Sequence, residues 1–205
     1  MTRAMGTSQK YKPTYILIAI NVAVFIYSSV VYGNFLETDI NFIYQWGQVR
    51  ILVINGSYYQ LITSMFVHAN IVHLAGNMIF LLIFGLRGEE LFSLPEYLLI
   101  YLGGGLVGNL LSLALLGLYT PSVGASGAIF AMFGGATIYA RRTIGQSILG
   151  ALIYAFFLFF LSVGENVNIW AHLGGLGAGL LIGYALSSRR KPEERYAVSY
   201  SYGPR

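Results

Sequence analysis

The 205-residue chain contains no cysteine. Disulfides, thiolate nucleophiles and cysteine-ligated metals are therefore excluded. Charge is scarce too: Asp, Glu, Lys and Arg make up 10% of the residues, against about 25% in an ordinary soluble domain. No His-Glu-x-x-His run occurs, which removes a common ligand set of metal-dependent hydrolases. The long apolar stretches enclose no Asp or Glu, so they hold neither a catalytic carboxylate nor the deep acids of a proton relay. Histidine is limited to His68, His73 and His172. Chemistry inside those stretches must rest on hydroxyls, amides and imidazoles.

What the sequence has in excess is apolar surface, with 56% hydrophobic residues and a mean hydropathy of +0.66. Successive stretches are long enough to cross a bilayer. The expected fold is all-α: a polytopic membrane protein built as a bundle of six transmembrane helices. The spans are expected over Thr14–Tyr32, Ile71–Leu86, Tyr97–Leu118, Ser126 to Arg141-Arg142, Ile148–Val163 and Ile169–Leu186. The first lacks a small-residue cleavage site and reads as a retained helix rather than a signal peptide. Residues 1–13 form a short basic N-terminus, 14–188 the membrane domain and 189–205 a polar tail. The connection 33–67 is rich in aromatics (Tyr44, Trp46, Tyr58, Tyr59), which suit the headgroup level.

Six spans leave both termini on one side. If that side is cytoplasmic it receives eleven of the twelve Lys and Arg residues, and only Arg50 lies outside. The positive-inside rule thus places the termini in the cytoplasm. Helix rise, about 1.5 Å per residue, then measures depth. Counted from the basic residues that end each span, Ser126 stands about 22 Å above the cytoplasmic face, and His172 about 26 Å. His73 and Asn77 stand about 21 and 15 Å above it by the same ruler. Four polar residues from three helices therefore share one zone, mostly in the outer leaflet.

Polar groups at that depth must be satisfied or reach water, which makes them functional candidates. The ordinary alternatives are interhelical hydrogen bonding by His and Asn, and back-bonding of a helical serine to its own carbonyls. Together the four residues are more specific. Ser126 sits among small residues, Gly124-Ala-Ser-Gly127, where a helix begins. An imidazole can take the proton of a serine hydroxyl during attack, so Ser126 and His172 are expected to form a dyad without a carboxylate. The oxyanion of acyl transfer needs donors. His73 and Asn77, at i and i+4 on one helix face, can supply two. The Ser126 N–H can add another. Gly175 and Gly179, with Gly174, Gly177 and Gly183, allow the sixth helix to lie close to the fourth. Gly124 and Gly127 leave room at the serine itself. No metal and no cofactor are expected.

Three motifs in this order resemble those of the rhomboid intramembrane serine proteases: His68-Ala-Asn-Ile-Val-His73-Leu-Ala-Gly-Asn77, Gly124-Ala-Ser-Gly127 and Ala171-His-Leu-Gly-Gly175. The resemblance spans about residues 14–188 and implies a minimal six-helix protease that cuts transmembrane segments of other proteins near the outer face. It implies Ser126 as nucleophile, His172 as base, and His73 with Asn77 as oxyanion donors. His68 matches a further, structural histidine, and Glu89 an acidic position at the cytoplasmic end of the second helix. The implied partners are transmembrane protein substrates and membrane lipid, with no nucleic acid. Two positions depart from the pattern. Gln60 follows Tyr59 where many members carry Arg, and Phe130 stands where some members have a Tyr that packs under the catalytic histidine. The competing readings are a catalytically silent client-binding relative and a small transporter. The first is disfavoured by the presence of both Ser126 and His172, the second by the lack of deep acids and of a visible inverted repeat.

Overall fold

A computed structural model describes residues 12–145, 150 and 168–189. Helix α1 (Pro13–Tyr32) starts on a proline, whose missing N–H falls where no helical partner exists. The aromatic-rich connection folds into short pieces: α2 (Ile40–Trp46), β1 (Gln48–Val49), α3 (Arg50–Ile54), α4 (Gln60–Thr63) and a tight turn over Ser64–Phe66. Helix α5 (Ile71–Leu91) follows, its first turn capped by Asn70, whose side chain accepts from the His73 N–H at 2.8 Å. Next come α6 (Leu94–Leu98), a wide turn over Leu99–Gly103, and α7 (Gly104–Leu115), which together run as one 22-residue helix. Strand β2 (Pro121–Ser122) pairs antiparallel with β1, Gln48 opposite Ser122 and Val49 opposite Pro121. Two long helices complete the described chain, α8 (Ser126–Ile144) and α9 (Ile169–Arg189).

The molecule is an all-α membrane bundle. Among the described residues, α1, α5, the α6–α7 unit and α9 are each long and apolar enough to cross a bilayer. The expected fourth span, α8, is a full-length helix of a different character. Twelve of its residues are buried, so it is sheathed by protein and needs no lipid-facing apolar side chains. Its Phe130, Met132, Phe133 and Tyr139 form the core with Leu81 and Phe84 of α5 and with Tyr97, Ile100 and Tyr101. The expected fifth span, Ile148–Val163, lies outside the described residues.

Several boundaries differ from expectation at the charged ends of the spans. Helix α5 continues five residues past Leu86, through Arg87 and Glu90, which pair at 2.5 Å. Charged residues end a hydrophobic span but not a helix, since i,i+3 pairs of opposite sign support helical geometry. Glu89 in this extension accepts from the Thr14 N–H at 2.9 Å and so ties the start of α1 to α5. The third span begins at Leu94 rather than Tyr97, because Glu96 folds back to accept from the Ser93 N–H at 2.8 Å and caps the new turn. The sixth runs on to Arg189 rather than ending at Leu186.

The tightest packing lies between α8 and α9. A Cβ on Gly175 would fall 2.0 Å from the Gly127 carbonyl oxygen; on Gly179, 2.0 Å from that of Ala131; on Gly183, 2.4 Å from that of Gly135. Three glycines at i, i+4 and i+8 thus let one backbone lie on the next. Replacing Gly in a helix by Ala normally gains about 0.5–1 kcal/mol, whereas forced overpacking loses about 1–3 kcal/mol. The second effect should win here. Gly183→Ala is accordingly expected to lower the thermal unfolding midpoint of the detergent-purified protein. An unchanged or higher midpoint would refute this packing account.

Candidate active site

Ser126 opens α8 because the chain turns sharply just before it. Gly124 has φ +120°, a conformation L side chains rarely adopt, and a Cβ there would lie 2.9 Å from Cε1 and Nε2 of His73. The Gly124 N–H donates to the Ser64 carbonyl at 2.9 Å, which fixes the loop against the preceding turn. As the first residue of α8, Ser126 also has its N–H in the turn where helical partners are lacking.

His172 lies in the first turn of α9, and its Nε2 stands 2.7 Å from Ser126 Oγ. That is hydrogen-bond distance, reached across 46 residues of sequence. The imidazole is 4% exposed and stacks on Phe130 at 4.6 Å between ring centres, with 20° between planes. Phenylalanine at 130 therefore provides a flat support for the ring. A Cβ on Gly127 would lie 3.2 Å from the Ala171 carbonyl oxygen, so the backbones touch beside the pair.

His73 stands on the other side of the serine loop. The point a Gly124 Cβ would occupy is 2.9 Å from His73 Nε2 and 3.8 Å from Ser126 Oγ. The Ala69 N–H donates to His73 Nδ1 at 3.4 Å, which in a neutral ring leaves the hydrogen on Nε2, an atom that faces Gly124. Asn77, one turn deeper on α5, is buried and donates from Nδ2 to the His73 carbonyl at 2.9 Å. Its Oδ1 is buried without a partner. One amide hydrogen of Asn77 is thus used to hold its own helix, leaving a second to donate elsewhere. His68 is 1% exposed and packs edge-on against His73 at 5.2 Å. Neither of its ring nitrogens meets a partner with good geometry.

Two further amides brace the surroundings of the site. Gln60 is fully buried; its Oε1 accepts from the Val49 N–H at 3.0 Å and its Nε2 donates to the Tyr44 carbonyl at 2.8 Å. An amide thus braces the connection from within. Asn168, just before α9, donates from Nδ2 to Ser122 Oγ at 2.7 Å and also to Ser112 Oγ. Its only trace in the sequence is spacing: Ser122 and Asn168 each precede a member of the Ser126–His172 pair by four residues.

Comparison with known proteins agrees with this architecture. Residues 55–189 match the rhomboid domain model. The rhomboid-family protein YdcA of Bacillus subtilis (strain 168) is 34% identical over 151 residues, covering 70% of this chain and 74% of the relative. RHOMBOID-like protein 6, mitochondrial, of Arabidopsis thaliana is 36% identical over 72% of this chain and 50% of its own length. The rhomboid protease GluP of Bacillus subtilis (strain 168) is 32% identical over 87% of this chain. This chain matches only 36% of GluP and half of the Arabidopsis protein, so those relatives extend well beyond the shared region.

The burial of His68 has a consequence for acid stability. Burial first, and then the neighbouring His73, push His68 from its ordinary 6.5 down to about 3. Below pH 6.5 the unfolded chain takes up a proton that His68 in the fold refuses. Stability should therefore fall as pH drops from 6.5 towards 3. Thermal unfolding in mild detergent is expected to show this decline, and His68→Gln should make the slope shallower. Equal slopes in the two proteins would show that His68 does not contribute.

Proposed function

The chain belongs to the rhomboid family, and from that premise we propose that it is an intramembrane serine endopeptidase acting through a Ser126–His172 dyad. The single observation that carries the reading is the 2.7 Å approach of His172 Nε2 to Ser126 Oγ. The family and the protease named among its relatives support the reaction class.

On this reading His172 Nε2 accepts the Ser126 proton as Oγ attacks the scissile carbonyl. The new oxyanion is stabilised by His73 Nε2–H, the second N–H of Asn77 and the Ser126 backbone N–H. Such donors act most strongly where water is scarce and they are already aligned. The His172 imidazolium then protonates the departing amine, leaving an acyl ester on Ser126. Water, deprotonated by His172, attacks that ester, and the proton returns to Ser126 Oγ as the acid product leaves. Packing against Phe130 orients the imidazole, the task a buried carboxylate performs in a triad.

The membrane sets the remaining terms. The protein is a multi-pass membrane protein, with residues 14–188 proposed as one membrane domain. The positive-inside bias supports cytoplasmic termini and a site opening to the outer face. Hydrolysis needs water at Ser126, and backbone outside a helix, such as Thr120–Gly124, is tolerated at depth only when buried or wetted. Substrates are proposed to be transmembrane segments arriving from lipid. Their carbonyls are hidden while helical, so residues that weaken a helix near its outer end should favour cleavage.

Two outcomes are expected. Ser126→Ala and His172→Ala should each lower cleavage of a single-span substrate by at least about a thousandfold. Asn77→Ala should lose less than the about 10²–10³ typical of an oxyanion donor, because His73 and the backbone share the load. Cleavage by Ser126→Ala near the wild-type rate would sink the reading. Sidedness has its own check, since the chain lacks cysteine. In Ser126→Cys the only thiol should react with a membrane-impermeant reagent added from the outer side. Reaction only from the cytoplasmic side would reverse the topology.

A further inference from the structure

Asn168 is an amide with all four of its hydrogen bonds made, at a junction of three elements. Its Oδ1 accepts from the N–H groups of Trp170 and Ala171, each at 3.2 Å, capping the first turn of α9. Its Nδ2 donates to Ser122 Oγ at 2.7 Å and to Ser112 Oγ. Ser122 belongs to β2 and lies four residues before Ser126; Ser112 lies on α7. Ser122 and Ser112 are both buried, at 6% and 0% exposure, so water does not readily replace these bonds. At the start of α9 the His172 N–H points to the Asn168 carbonyl at 3.4 Å, one turn back along the chain.

We propose that Asn168 is a positioning residue that sets the register of His172 against Ser126, by clamping the start of α9 to the strand leading into the serine loop. The inference rests on the dyad reading above. A dyad without a carboxylate has no polar group dedicated to holding its histidine. The glycine contacts fix the distance between α8 and α9, but smooth glycine faces resist sliding and rotation poorly. The Asn168 amide supplies that restraint at the level of the reacting atoms. It joins the residue four before His172 to the residue four before Ser126. Neither Asn168 nor the two serines touch the reacting atoms, so their effect is on geometry alone. A misplacement of about 1 Å can cost on the order of 10²-fold in rate.

Three variants separate clamping from ordinary helix capping. Asn168→Ala removes both functions. Asn168→Ser keeps a capping oxygen but is too short to bridge to both hydroxyls. Ser122→Ala breaks one bridge and leaves α9 untouched. Cleavage kinetics on a single-span substrate, thermal midpoints and the rate of Ser126 labelling by a fluorophosphonate are measured for each. The expected result is a roughly ten- to hundredfold fall in kcat and labelling rate for Asn168→Ala, with KM little changed. Asn168→Ser should recover the midpoint but not kcat. Ser122→Ala should fall in the same direction, and the double variant Ser122→Ala/Asn168→Ala should be no worse than Asn168→Ala alone. If Asn168→Ser restores kcat along with the midpoint, Asn168 is only a cap and the inference fails. Wild-type kcat in Ser122→Ala overturns it as well, even if Asn168→Ala does not fold. The two readings fail differently. If wild-type protein is not labelled at Ser126, the dyad itself is wrong; labelling of wild type and of Asn168→Ala at equal rates rejects the clamp alone.

Discussion

Contact between two helix backbones is the condition on which the site depends. An imidazole reaches only a few ångströms from its helix, and a serine hydroxyl less. For His172 Nε2 and Ser126 Oγ to approach to 2.7 Å, α8 and α9 must nearly touch. Glycine at 175, 179 and 183 makes this possible, each facing a carbonyl of α8 where a methyl group would collide. Lipid offers no hydrophobic drive for helices to associate, so close packing of small residues supplies much of what water would otherwise provide. The same feature that stabilises the bundle thus brings the proposed dyad into reach.

Buried polar groups then complete what packing alone leaves loose. In the low-polarity interior an unpartnered amide or hydroxyl is expensive, so satisfied ones restrain structure strongly. Gln60 binds the connection that precedes α5, and Asn109 donates to the Leu61 carbonyl at 2.8 Å and to Ser64 Oγ at 3.0 Å. Ser64 in turn holds Gly124 through its carbonyl. These bonds form a path from the surface connection to the turn before Ser126. Asn168 reaches the same turn from α9. The loop carrying the proposed nucleophile is therefore held from both sides, although it contains little regular structure. Other buried polar atoms meet no partner with good geometry, among them Gln48 Oε1, the ring nitrogens of His68 and the Oδ1 of Asn77.

Much of this architecture was legible in the sequence because it follows from strong, local rules. Apolar length marked the spans formed by α1, α5, α6–α7 and α9, and Gly-Ala-Ser-Gly the start of α8. Helix rise put Ser126, His172, His73 and Asn77 in one zone before any contact was known. The charged ends of the spans were less legible, since charge stops a span in lipid while the helix itself continues, as α5 does through Arg87 and Glu90. The pairing of Gln48–Val49 with Pro121–Ser122 was invisible, because two-residue strands have no periodicity to read. The wide turn over Leu99–Gly103 likewise has no local signature among apolar residues. The bridge from Asn168 to Ser122 and Ser112 was invisible for another reason: it exists only once three elements are assembled.

The claim that backbone contact creates the dyad is tested most directly by two identical substitutions in one helix. A Cβ on Gly175 would lie 2.0 Å from the Gly127 carbonyl, while a Cβ on Gly177 would meet nothing within 4 Å. Both changes to alanine gain the same helix propensity, about 1 kcal/mol, so only the contact differs. Fluorophosphonate labelling of Ser126 should proceed at the wild-type rate in Gly177→Ala and fall by at least about a hundredfold in Gly175→Ala. Equal labelling of the two proteins would contradict the account.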